Sequence, residues 1–240
     1  MPIVFPASPA MLVIGLDLAV MMHRWRNARM RKCGSPTSPP QRFVGAIEVI
    51  GAHYGNLSDI GQLPAADQQA IKRALRTGLV TARSGGFGVN ATVTRLDVAR
   101  ALMLGSGALV PQYLPASPSF VDVPADDNAV FVESVANSPS GNLMPVTGLY
   151  FNPQNACDRL TVAIAVVKVL GLEQMAQSWT GTNPGFADWA LVPASARGYA
   201  AVALNRNLIR ITASGTFRLL DSMTRSELAW TASTLQQTAR

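Results

Sequence analysis

Three arginines and three aspartates of this chain stand at matching separations: Asp59 precedes Arg95 by 36 residues, Asp122 precedes Arg159 by 37 and Asp188 precedes Arg225 by 37. Guanidinium and carboxylate carry opposite charges at neutral pH, so a matched set of this kind has two chemistries open to it. Each arginine can close an internal ion pair with the acid that opens its unit. Alternatively, each can stand beside helix-start N–H groups and receive a carboxylate or phosphate from outside. The arginines lie in a recurrent phrase, Val93-Thr94-Arg95-Leu96-Asp97, Cys157-Asp158-Arg159-Leu160-Thr161 and Met223-Thr224-Arg225-Ser226-Glu227. A cation in the first helical turn opposes the helix dipole, which favours anions there by roughly 0.3–1 kcal/mol, so its threefold recurrence calls for a partner.

The rest of the phrase needs no ligand. Thr94 with Asp97, and Thr224 with Glu227, read as capping boxes in which the threonine accepts from the third backbone N–H and the acid bonds back. In the middle copy Asp158 is a good N-cap and Thr161 replaces the returning acid. Caps of this type contribute about 1 kcal/mol each. The acids Asp59, Asp122 and Asp188 belong with these residues as structural pairing groups.

Elements that must position the arginines follow from the spacing. Between acid and arginine each copy has a residue suited to a left-handed helix stop, Gly78, Asn142 or Asn207, followed by Leu79, Leu143 or Leu208. A glycine-aromatic turn comes next: Gly86-Phe87, Gly148-Leu149-Tyr150-Phe151 and Gly215-Thr216-Phe217. The outline is acid, helix, left-handed stop, aromatic loop, arginine, helix, and a period of this length marks a modular array whose units need one another to bury a core.

The first repeat spans residues 43–106. Phe43 to Tyr54 has helical character as an extra packing element, a helix follows Pro64 with Ala70, Ile71, Ala74 and Leu75 on one face, and its partner begins at Thr94 with Val98, Leu102 and Met103 inward. Repeat two spans residues 118–173, and the run from Val162 to Leu170 is apolar almost all round, which makes it the most buried helix expected. Repeat three spans residues 184–237, its first helix opened by Pro193 with Tyr199, Val202 and Ala203 inward, its last with Leu228, Ala229 and Ala232 inward.

Charge is unevenly placed. Of the net +6, residues 1–42 hold six basic side chains (Arg24, Arg26, Arg29, Arg31, Lys32, Arg42) against Asp17, while the remainder has fourteen basic and thirteen acidic groups. The repeats are nearly neutral, so the basic balance gives no argument for nucleic acid as a partner. Residues 1–42 form an atypical N-terminal segment with a Pro-rich linker, Gly34-Ser35-Pro36-Thr37-Ser38-Pro39-Pro40. Its apolar run, Met11 to Met22, has its positive charges after it, unlike a signal peptide. It reads either as an extension outside the folded module or as a reverse-oriented anchor, the one route to membrane association. Cys33 and Cys157 offer no disulfide framework, and Cys157 reads as a small apolar residue. With His23 and His53 its only histidines, no G-x-S-x-G phrase and no H-E-x-x-H spacing, the chain reads as non-catalytic, without metal or cofactor.

The unit from Phe120-Val121-Asp122-Val123 to Arg159, and that from Phe186-Ala187-Asp188-Trp189 to Thr224-Arg225-Ser226-Glu227, resembles the S-layer homology repeat, with its F-x-D-V start and I-T-R-A-E phrase. The resemblance covers residues 55–237 in three copies. It implies an all-α fold of three helix-loop-helix units in a pseudo-threefold bundle. It also implies an extracellular, cell-surface or cell-envelope location and anchoring to bacterial cell-wall polysaccharide. By position, Arg95, Arg159 and Arg225 are the residues implied to bind the anionic, often pyruvylated, sugar of a secondary wall polymer. The wording around Phe131-Val132-Glu133-Ser134-Val135 and from Pro193 to Tyr199 also looks like the C-terminal tail of some secreted subtilisin-like proteases, which implies an accessory region with a structural role as the alternative.

Overall fold

The computed structural model describes residues 57–240 apart from 82, 84 and 213, so the readings of residues 1–42 and of the stretch from Phe43 to Tyr54 lie outside the described residues. Among the described residues the fold is all-α. Seven α-helices follow in order: α1 Ala65–Arg76, α2 Arg95–Gly105, α3 Ala129–Ala136, α4 Arg159–Val169, α5 Glu173–Ser178, α6 Ala194–Asn205 and α7 Arg225–Thr238. Extended pairing among these residues is limited to isolated bridges.

The three arginine-led helices, α2, α4 and α7, start where the caps dictate. Thr94 and Thr224 complete capping boxes with Asp97 and Glu227, and the Asp158 carboxylate accepts from the Thr161 N–H. Helix α4 buries Leu160, Val162, Ala163, Ala165, Val166, Val167 and Val169, as its all-round apolar sequence requires. The helices α1 and α6 end in left-handed residues, Gly78 (φ 71°) and Asn207 (φ 56°), and Leu79 and Leu208 then donate to Ala74 O and Ala203 O.

In the middle unit Asn142 is not the left-handed stop. Helix α3 is only 8 residues long, Gly141 (φ 76°) takes the left-handed conformation, and the Asn142 side chain instead accepts from the Met144 N–H at 3.0 Å. Leu143 still donates inward, to Val135 O, but over a separation three residues longer than in the other units. The extra residues after α3 explain why the spacing of asparagine from aspartate matched while its conformation did not.

Packing between helices is cyclic. The first helix of each unit lies on the arginine-led helix of the unit before it: α3 on α2, α6 on α4, and α1 on α7, while α2 contacts both α4 and α7. The first described α-helix is therefore covered by the last. At the centre, Val93 N–H donates to Met223 O (3.0 Å), Met223 N–H to Cys157 O (2.8 Å) and Cys157 N–H to Val93 O (3.1 Å), a closed ring of three buried peptides. Burial pushes the Cys157 thiol up to about 12, so it serves as an apolar core residue.

Helix α5 has no counterpart in the sequence reading, its six residues being too few for a periodic pattern. It packs on α6 at Gly198, where a Cβ would fall 1.6 Å from Ala176 O.

Candidate functional site

The three aspartates and three arginines converge on three phenylalanines. Asp59 accepts from the N–H groups of Phe87 (2.9 Å) and Gly88 (2.6 Å), Asp122 from Phe151 (2.9 Å) and Asn152 (2.6 Å), and Asp188 from Phe217 (2.7 Å) and Arg218 (2.8 Å). The arginine of the preceding unit takes the carbonyl of the same phenylalanine: Arg225 Nε donates to Phe87 O at 2.8 Å, Arg95 Nε to Phe151 O at 2.7 Å and Arg159 Nε to Phe217 O at 2.7 Å. Each guanidinium also lies over that phenylalanine's ring, at 4.8, 4.7 and 5.5 Å respectively. The direct ion pair of each arginine with the acid that opens its own unit therefore does not form among the described residues; each acid instead faces the arginine of the preceding unit across one peptide.

The helix-start N–H groups beside the arginines are also occupied. Arg95 and Leu96 donate to Asn155 O and Pro153 O, Arg159 and Leu160 to Asp221 O and Leu219 O, and Arg225 and Ser226 to Ala91 O and Val89 O. The third N–H of each helix goes to its cap. The helix-start seat for an outside anion is thus filled by carbonyls of the neighbouring unit's loop.

What remains of each guanidinium differs. Nη2 donates to a second loop carbonyl in every unit: Arg95 to Pro145 O, Arg159 to Arg210 O and Arg225 to Thr81 O. Arg159, 1% exposed, also pairs through Nη1 with Glu227 at 2.5 Å. Arg225, 2% exposed, has only carbonyls as hydrogen-bond partners among the described residues, and Arg95 is half-buried. Burial lowers the Arg159 guanidinium pKa against the pull of Glu227. Arg225 is lowered by burial and by the nearby Arg83, with Asp97 and Asp59 opposing.

Grooves open beside these junctions. One, of about 200 Å³, is lined by Arg159, Arg210, Thr212, Glu227, Trp230 and, from α1, Asp67. There the Arg210 guanidinium lies 3.7 Å over the Trp230 ring and pairs with Asp67. The corresponding groove of the middle unit, about 250 Å³, has Pro145, Thr161 and Ile164 where this one has Arg210, Glu227 and Trp230. In the first unit the same positions are Thr81, Asp97 and Arg100. Reasoning from the recurrent phrase singled out Arg159 and Glu227 but missed Asp67, Arg210 and Trp230, which lie outside the repeated words. The signal for Trp230 was its position five residues after Arg225, matching Arg100 and Ile164.

Among the described residues no group of three or more acidic, histidine or cysteine side chains is placed to hold a metal, and no helix is long and apolar enough to cross a membrane. Residues 56–99 match the S-layer homology domain family, an interval that contains one complete set of acid, aromatic loop, cap and arginine. No curated protein matches the chain. The matched module is non-catalytic. Residues 56–99 thus form an S-layer homology domain, a module of cell-wall anchoring that indicates a cell-surface or envelope location.

Proposed function

We propose that the whole chain is a non-catalytic anchoring module of three S-layer homology repeats, over residues 43–106, 118–173 and 184–237, that binds an anionic, pyruvylated secondary cell-wall polysaccharide in the grooves between repeats. Arg95, Arg159 and Arg225 are the residues on which binding depends. The observation that carries this reading is their common position: each reaches from one repeat into the aromatic loop of the next and forms part of an inter-repeat junction. A carboxylate-bearing sugar meets Arg210 in the third-unit groove and Lys168 in the middle one, and charge-assisted hydrogen bonds are roughly twice as strong as neutral ones.

The test is retention on immobilised wall polymer before and after mild-acid removal of its ketal pyruvate. Retention should fall at least tenfold on depyruvylation, and should fall with Arg95→Gln by more than any loss of folded protein, measured by denaturant unfolding, accounts for. A second reading, in which the arginines are wholly structural and the chain is an accessory region of a larger secreted protein such as a protease, draws on the burial of Arg159 and Arg225. It requires every arginine variant to lose retention only in proportion to lost folding, and the native polymer to be held no better than the depyruvylated one.

A further inference from the structure

In each unit a side chain from the arginine-led helix donates to the carbonyl of the residue just before the buried leucine that follows the first helix. Arg100 Nε does so to Gly78 O at 3.1 Å, Lys168 Nζ to Asn142 O at 3.0 Å and Trp230 Nε1 to Asn207 O at 2.9 Å. In the first two units a cation is committed to this structural bond. In the third a neutral indole makes it, and a separate cation, Arg210, stands in the groove beside that indole.

We propose that Arg210 is a dedicated carboxylate-binding residue of the third-unit groove, and that Asp67 occupies in the free protein the position the ligand's carboxylate takes when bound. This deepens, and rests on, the reading of the chain as a binder of anionic wall polymer. Three observations support it. Arg159, behind it, is 1% exposed with Nε, Nη1 and Nη2 all engaged, whereas the Arg210 side chain is 41% exposed. Arg210 is pre-oriented, its plane against Trp230 and its backbone carbonyl held by Arg159 Nη2 at 2.6 Å, so little rotamer freedom is lost when it engages a ligand. Its partner is a carboxylate on another unit, so an incoming carboxylate exchanges like for like, while Arg100 and Lys168 would leave a backbone carbonyl unpaired. Arg159 is then a positioning residue that acts through Arg210.

The experiment is a titration of the protein with a methyl glycoside bearing a pyruvate ketal. It is followed by the indole N–H resonance of Trp230, assigned by its loss in Trp230→Phe. In the parent chain this resonance shifts saturably. Arg210→Ala abolishes the shift without lowering the melting temperature by more than a few degrees, and Asp67→Asn, which removes the competing charge, lowers the midpoint concentration several-fold. The proposal is overturned if other resonances titrate while Trp230 stays still, or if Arg210→Ala leaves the midpoint unchanged; in both cases sugar binding itself survives. If no resonance moves in the parent chain, the proposal and the sugar-binding reading fall together.

Discussion

Phe87, Phe151 and Phe217 each have their peptide N–H held by an aspartate of their own unit and their C=O held by an arginine of the preceding one. Hydrogen bonds to charged groups contribute about 1.5–3 kcal/mol each, so these six contacts are first-order terms in the fold. The residue after each phenylalanine is left-handed, Gly88 (φ 74°), Asn152 (φ 57°) and Arg218 (φ 56°), and the same aspartate accepts from its N–H. For Arg218 that conformation costs about 1–2 kcal/mol, which the Asp188 bond offsets. Arg159→Ala should destabilise the chain by about 3 kcal/mol or more, because Phe217 O and Arg210 O lose a buried donor and Glu227 loses its nearer counter-ion, keeping Arg218 at 3.7 Å; denaturant unfolding measures it. Burial alone would raise the Asp59 carboxyl, but the N–H groups of Phe87, Gly88 and Val89 outweigh it and hold the pKa below the usual value. A depressed folded pKa stabilises above the unfolded pKa, and that stability is lost as pH falls through the lower folded value. Asp59→Asn should therefore flatten the acid limb of the stability curve below about pH 4 and leave pH-independent whatever loss remains at neutrality.

At the scale of elements, the arginine phrase made its helices legible because a capping box is local: three or four residues determine where the first turn begins. The stops after α1 and α6 were legible for the same reason. What could not be read was anything set by a partner distant in sequence. The arginine-aspartate spacing marked the two kinds of group that meet at each phenylalanine, yet it matched them within one unit, whereas each acid meets the arginine of the preceding unit across one peptide. Asn142 had the spacing of a stop, but residues inserted after α3 moved the left-handed turn to Gly141. Helix α5 was invisible at six residues, and Gly198 gives the only trace of it in the sequence, a glycine inside a helix where Ala176 O approaches closely. Gly198→Ala sets about 1 kcal/mol of helix propensity gained against overpacking that costs about 1–3 kcal/mol or more, and a 1.6 Å approach to backbone decides for the clash. The substitution should lower the melting temperature and raise hydrogen exchange first in residues 173–178.

For the whole molecule, cyclic packing makes the last helix part of the first unit. Helix α7 covers α1, and Arg225 and Met223 hold the Phe87 loop and Val93. Truncation before Arg225 should therefore expose α1 and Phe87 rather than leave two intact units, and the remaining chain should unfold without a sharp transition, whereas residues 57–240 unfold in one. The same closure places the groove of the third unit against α1, so that Asp67 and Arg210, 143 residues apart, face each other. No local reading of the sequence brings those two together, which is why the repeated words pointed to the junctions and not to the exposed residues in them. Anchoring to the wall is the claim on which the account stands, and co-sedimentation with purified bacterial cell walls tests it most directly. The protein should pellet with walls that retain their secondary polymer and stay in the supernatant with walls from which that polymer has been extracted. Equal partition between the two preparations would contradict it.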